Sequence, residues 1–363
     1  MKLLFVLEHY HPYIGGAETL FTTLCESLAQ NGHEIRVITT RYRPDLPAEE
    51  ALNGVIVERI NCRNRFLFSA LALPAVIKWA GWADLVHTTT YNAAFPAWVG
   101  AKFRGTKTVI TFHEYWGALW NKLPFLSSTA AWVYRAYERF ILALPFDNYV
   151  AVSNFTALAL VRGGVASDRV RRIYNGLDYT RYEGSELQAP DLFTYTYFGR
   201  LGVSKGLDLI IPAAAEFRKT YPKSKLRLII PKGPAGMYRN ILAMIDHEGI
   251  GEYVELLHEL PEAELRSAVN TSSCVLITSY SEGFCFVAAE TAAAGIPIIS
   301  SGRGALVETV SGPHLTMQEM SVPALVQCLT RAYRSEWDET PLKRFPLRES
   351  IDQYLEFYAE ITA

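Results

Sequence analysis

The chain has no D-x-D pair, no G-x-G-x-x-G run and no C-x-x-C. Without D-x-D it lacks the neighbouring aspartates that hold a divalent metal against a phosphate. Without the glycine run it lacks the dinucleotide fingerprint, and the second apolar run ends in Thr39 and Thr40, with no acid to hold a ribose. The five cysteines (Cys25, Cys62, Cys274, Cys285, Cys328) are odd in number and scattered, which fits a reducing compartment and offers no zinc site. His9 and His11 form H-x-H, but a third ligand at suitable spacing is missing, so no metal is expected. A formal net charge of −2 gives no electrostatic reason to expect nucleic acid.

Long uninterrupted apolar runs are also missing. Met1-Lys2 leads into LLFVL, too short for a signal peptide core, so a buried first strand and a cytoplasmic protein are expected. The run FLFSALALPAVIKWAGWA, from Phe66 to Ala83, has the length of a span but is interrupted by Pro74 and Lys78. A monotopic or acceptor-facing helix is expected there instead.

What is present is alternation. In 363 residues, 50% of them hydrophobic and 20% charged, there is material for about two domains with sizeable cores. KLLFVL, HEIRVIT, GVIVERI, ADLVHT, TKTVIT and NYVAVS read as strands, with helical periodicity between them over 17–31, 93–103, 129–144 and 155–162. The rhythm restarts with FTYTYFG, KLRLII, YVELL, SCVLIT and IPIIS, separated by helices over 206–220, 237–248, 262–270 and 287–294. Buried strands separated by helices predict parallel sheets, hence an α/β chain of two Rossmann-like domains. The boundary falls in the polar stretch TRYEGSELQAP after NGLD. The expected domains are 1–178 with a C-terminal helix at about 346–363, and 185–345. From Val322 onward the chain reads as helical with no further strand.

Ligands of parallel sheets bind beyond the carboxyl ends of the strands. There the chain places Gly15 and Gly16 ahead of a helix, where exposed amides suit an anion or simply make a tight turn. His113 and Glu114 follow TKTVIT, a position for a histidine that bonds a substrate hydroxyl or acts as a base. Arg200 and Lys205 flank glycines in YFGRLGVSKGLD and suit a diphosphate, one as a fork and one as a point charge. In EGFCFVAAE, Glu282 lies in a loop and Glu290 one turn into the next helix; carboxylates so placed can bind vicinal hydroxyls, while capping also accounts for Glu290.

GGAE, the histidine after TKTVIT, NGLD, GRL…KG and E-x7-E occur in that order over most of the chain. Together they resemble the retaining glycosyltransferases of the GT-B fold, family 4, also called glycosyltransferase group 1. The resemblance implies two domains facing a central cleft, with a C-terminal helix crossing back to the first. It implies transfer of a hexose from a nucleoside-diphosphate sugar, UDP or GDP, to a glycan or lipid-linked acceptor, without cofactor or metal. It assigns His113, Glu282, Arg200 and Lys205 to catalysis, and Gly15, Gly16, Arg200, Lys205, Glu282, Gly283, Phe284, Cys285 and Glu290 to the donor. Arg200 and Lys205 would hold the diphosphate, Glu290 the ribose and Glu282 the transferred sugar. A sugar-nucleotide epimerase and a catalytically silent sugar-nucleotide-binding scaffold are the alternatives.

The sequence departs from the family's pattern at four places. Cys285 stands where glycine or proline is usual, PKGPAG replaces a G-x-G, Glu114 replaces an aspartate, and SGRGALVETVSGPHLT is short. The first domain also carries Arg63, Arg65, Phe66, Phe68, Trp79, Trp82, Trp116, Trp120, Trp132, Tyr134, Arg135 and Arg139. Such an Arg/aromatic mixture suits a peripheral contact with the inner face of a membrane, about half of it being expected in the core.

Overall fold

The computed structural model describes residues 1–13, 15–182 and 187–362. Residues 183–186, inside the expected boundary and including the expected start of the second domain at 185, lie outside the described residues, as does Ala363. The chain divides into two compact units. The first comprises Met1–Trp120, Thr129–Gly176 and Pro346–Ala363; the second comprises Asn121–Ser128 and Leu177–Phe345.

The first unit is built on strands β1 (Lys2–Val6), β2 (Glu34–Thr40), β3 (Glu49–Leu52), β4 (Val55–Ile60), β5 (Leu85–Thr89), β6 (Lys107–Phe112), β7 (Asn148–Ala151) and β8 (Val170–Arg172). They form one sheet in the order β3-β4-β2-β1-β5-β6-β7-β8, parallel except for β3. Its helices are α1 (Gly16–Gln30), α2 (Phe68–Leu71), α3 (Leu73–Ala80), α4 (Ala94–Arg104), α5 (Ser128–Ala143) and α6 (Asn154–Arg162). Leu20, Phe21, Leu24, Cys25 and Leu28 recur at helical spacing and bury one face of α1 against Leu3, Phe5 and Val37.

The second unit contains β9 (Phe193–Phe198), β10 (Ser224–Ile229), β11 (Val254–Leu257), β12 (Cys274–Ile277), β13 (Ile298–Ser300), β14 (Gly312–Thr316) and β15 (Asp338–Thr340). Their order is β11-β10-β9-β12-β13-β14-β15, parallel except for the last pair. Helices α7 (Leu207–Thr220), α8 (Ala235–His247), α9 (Glu262–Asn270), α10 (Phe286–Ala293), α11 (Leu306–Thr309) and α12 (Val322–Tyr333) accompany them.

The last helix, α13 (Leu347–Thr362), returns to the first unit. Tyr354, Phe357 and Tyr358 are buried in the core around Phe5 and Phe21. His87, in the middle of β5, shares hydrogen bonds with Tyr358 Oη and, at 2.8 Å, with Thr111 Oγ1. Burial, assisted by the nearby His113, pushes the His87 pKa down to about 3.

Three expectations need correction. Each sheet has one antiparallel edge strand, and β15 lies in the stretch read as wholly helical. Asp-Glu-Thr at 338–340 is exposed throughout and joins β14 through its backbone, so no apolar alternation announced it. Phe66–Ala83 is a single-turn 3-10 segment followed by α2 and α3, not one helix, and among the described residues no helix is long and apolar enough to cross a membrane. Of the aromatic set, Phe68 and Trp120 are buried, and Trp79 donates to Glu58 at 2.8 Å beneath the Arg36 guanidinium. Phe66 and Trp132 are 68% and 69% exposed.

A prediction follows from His87. Between its unfolded pKa of 6.5 and its folded value of about 3, only the unfolded chain takes up the proton, so acidification destabilises the fold. Taking the pH from 6.5 to 4.5 should cost the unmodified chain about 2–3 kcal/mol more than the His87→Gln variant, read by urea denaturation at each pH.

Candidate active site

The turn from β9 into α7 is fixed by Gly206. Its φ is +73°, and a Cβ there would overlap the Thr278 carbonyl oxygen. Glycine therefore lets the start of α7 press against the chain leaving β12. Thr278 Oγ1 donates to Lys205 O at 3.1 Å, Tyr280 N to Ser204 O at 2.7 Å, and Tyr280 Oη to Asp208 Oδ2 at 2.7 Å. These bonds put Lys205 beside the loop carrying Glu282.

Glu282 is only 5% exposed. Lys205 Nζ donates to its Oε1 at 2.7 Å, and Ser279 Oγ donates to the same oxygen at 2.5 Å. A buried carboxylate is costly unless a cation and hydrogen bonds compensate it, and here both do. The segment 301–305 closes the other side: Ala305 N donates to Glu282 O at 2.8 Å, and Ser301 Oγ donates to Ser279 O at 2.6 Å. Gly304, at φ +67°, passes so close that a Cβ would overlap the Glu282 backbone. Arg200, at the end of β9, is exposed.

Helix α10 begins at Cys285, whose φ of +75° and ψ of 85° are left-handed. A non-glycine residue there carries strain of about 1–3 kcal/mol. Glycine at that position would carry no such strain. Burial first, and the neighbouring Glu282 second, push the Cys285 thiol well above its ordinary value, so it is a neutral thiol and not a thiolate nucleophile. Phe284 is buried with its ring edge-on to Phe286 and Phe345 at 5.3 and 5.1 Å.

Glu290 sits one turn into α10, opposite Ala288, Ala289 and Ala292, which face the core. Burial raises its pKa, against the lowering effect of the Tyr182 phenol that hydrogen-bonds it and of the Arg181 cation. Tyr182 and Arg181 come from the polar stretch read as a linker. A short 3-10 turn, Tyr179–Arg181, begins at Asp178, whose Oδ1 accepts from Thr180 N at 3.1 Å. Arg266 Nη1 then donates to Arg181 O at 2.5 Å. Ser279, Arg181 and Tyr182 were not picked out from sequence.

The remaining candidates lie in the first unit. Gly15 caps α1 in extended backbone open to any residue, and Glu18 folds its carboxylate over that helix start. His113 directly follows β6, with its ring edge-on to Phe21 at 6.0 Å. His9 of the H-x-H stacks on Tyr13 at 4.1 Å, and among the described residues no group of three His, Cys, Asp or Glu is placed to hold a metal ion.

Residues 14–181 match the profile of Glycosyltransferase Family 4, and residues 180–330 match that of Glycosyl transferases group 1. The chain belongs to the family 4, group 1 glycosyltransferases. It is 25% identical over 345 residues to one subunit of the human phosphatidylinositol N-acetylglucosaminyltransferase, covering 90% of this chain and 67% of that protein. The fold of this glycosyltransferase is GT-B. It resembles sucrose-phosphate synthase from Thermosynechococcus elongatus with a TM-score of 0.81 at 19% identity, covering 99% of both chains. It also resembles HepE from Anabaena, solved with UDP and glucose, with a TM-score of 0.74 at 18% identity and 99% coverage of both.

The strain at Cys285 is testable without activity. Cys285→Gly should be more stable than Cys285→Ala by about 1 kcal/mol, since only alanine keeps the left-handed penalty. Urea midpoints of the two variants compare them directly.

Proposed function

We infer that this glycosyltransferase is a retaining enzyme that moves a hexose from a nucleoside-diphosphate sugar to a glycan or lipid-linked acceptor, with no metal or cofactor. The observation that carries this reading is the Lys205–Glu282 pair where β9 and β12 end, with Arg200 exposed in the turn that follows β9. A departing diphosphate needs positive charge more in the transition state than in the ground state. Lys205 and the fork of Arg200 supply it where a metal would otherwise act. The Glu282 carboxylate accepts from hydroxyls of the sugar, and Glu290, oriented by Tyr182, accepts from the ribose. Electrons leave with the diphosphate, whose oxygen takes the acceptor's proton, so no covalent nucleophile is required. That HepE was solved with UDP and glucose supports this choice of donor.

Donor hydrolysis by the purified chain, screened across UDP- and GDP-sugars, tests the assignment and separates it from a silent scaffold, which would bind without turnover. Lys205→Ala should lower kcat by about 10²–10³-fold, and EDTA should leave the rate as it was. Unchanged turnover in Lys205→Ala would sink the assignment.

The same reading places the enzyme in the cytoplasm, peripheral on the inner face of the membrane. Phe66, Trp132, Val133 and Phe140 are exposed on the first unit. The segment 61–83 carries Arg63, Arg65 and Lys78 and no acid, and the single acid of α5, Glu138, is buried. Flotation should recover the chain with anionic vesicles, and Trp132→Ala combined with Phe66→Ala should weaken that recovery; no flotation at low salt would remove the membrane from the reading.

A further inference from the structure

Strands β1, β5 and β6 are consecutive neighbours, with Val6 opposite Thr88 and Thr89 opposite Thr111. Just beyond their carboxyl ends come Glu8, then Tyr91 and Asn92, then Glu114. None of the first three was picked out for a functional role from sequence. Glu8 is 7% exposed. Its Oε2 accepts from Asn92 Nδ2 at 3.0 Å, and Arg65 Nε lies 2.5 Å from its Oε1, which accepts no hydrogen bond of good geometry. Tyr137 Oη donates to Asn92 Oδ1 at 3.1 Å, which fixes the amide with its nitrogen towards Glu8.

Tyr91 joins this group in an unusual backbone state. Its φ is +71°, and its phenol lies in the field of Glu114, Glu138, Arg65 and Glu8. Burial and the carboxylates raise its pKa, so the phenol stays a neutral donor. A simple tie between the loops after β1 and β5 needs only Glu8, Asn92 and Arg65. It does not account for a bulky residue held in left-handed backbone among three carboxylates, where strain commonly marks function.

We propose that this strand-end cluster, centred on Glu8, is the acceptor-hydroxyl subsite, and that it takes an uncharged polyol rather than a phosphomonoester. The inference rests on the transferase reading above. Carboxylates accept hydrogen bonds from sugar or cyclitol hydroxyls, and the Asn92 amide and Tyr91 phenol complement them. A phosphate dianion would instead meet the three carboxylates whose field the Tyr91 phenol feels, against one guanidinium that already faces Glu8. Burial keeps the His9 ring, 3.6 Å from Glu8, towards its neutral form. In the transfer, the acceptor oxygen bonds to the anomeric carbon as the bond from that carbon to the diphosphate breaks. The electron pair leaves with the diphosphate, and the hydroxyl proton passes to its oxygen. Glu8 orients the acceptor through a neighbouring hydroxyl and does not enter that balance.

Saturation-transfer NMR on the purified full chain reads the subsite directly, with octyl β-glucoside, methyl α-mannoside and myo-inositol against glucose 6-phosphate and inositol 1-phosphate. Ring protons of the neutral ligands should be saturated and those of the phosphorylated ones should not. Glu8→Gln should weaken neutral binding at least about tenfold, the loss in transfer falling on the acceptor KM and not the donor KM. Tyr137→Phe, which removes one hydroxyl and keeps the ring, should shift acceptor binding the same way by less. Preference for the phosphorylated ligands, or unaltered acceptor affinity in both variants, would overturn the proposal. Donor hydrolysis by the unmodified chain reports separately on the transferase reading. Neutral-ligand saturation without hydrolysis of any donor keeps the subsite and discards transfer.

Discussion

A carboxylate can occupy the buried loop after β12 because two donors converge on one of its oxygens: the Lys205 ammonium and the Ser279 hydroxyl. Much of the second unit's geometry is needed for that convergence. Lys205 reaches Glu282 only if the start of α7 lies against the end of β12, which Gly206 permits and Thr278 and Tyr280 secure. On the far side, the same loop must accept the 301–305 segment at a distance that only a glycine at 304 allows. Removing one partner of such a pair leaves an uncompensated charge in a poorly solvated place, which is why the pair acts as a unit. The residues flanking it, Cys285 and Phe284, take their positions from that loop.

The sequence made most interior strands and the long helices legible because burial imposes a period, and a period survives in one sequence; interior β14, Gly-Pro-His-Leu-Thr, was taken for loop because it carries no apolar run. Edge strands were less legible. β15 is three exposed polar residues, and β8 is Val-Arg-Arg, so neither carries a pattern that burial would write. The site divides the same way. Arg200, Lys205, Glu282 and Glu290 were readable because each follows a recognisable strand or opens a recognisable helix. Ser279 and Tyr182 were not: a serine at a strand end is ordinary, and a tyrosine in a polar connection is easily taken for linker. Both act by orienting another side chain, a role that residue type alone does not betray. The left-handed backbone of Cys285 was equally invisible, although the residue itself stood out.

The two units arrive at related solutions at their strand ends. In the second, the Glu282 carboxylate is held by one cation, Lys205, and one neutral donor, Ser279. In the first, Glu8 is held by one cation, Arg65, and one neutral donor, the Asn92 amide. In both places the compensation keeps a carboxylate available where a parallel sheet presents its ligands, and a carboxylate there prefers hydroxyls over anions. The difference lies in the charge that stands alongside. In the second, the Tyr197 phenol lies in the field of Glu282 and of two cations, Lys205 and Arg200, which is the charge that the proposed diphosphate would use. In the first, Glu8 shares the surroundings of the Tyr91 phenol with Glu114 and Glu138, and the proposed preference for a polyol over a phosphate follows from that negative charge. One recurring arrangement, with the neighbouring charge reversed, is the physical basis for proposing a charged ligand in one unit and an uncharged one in the other.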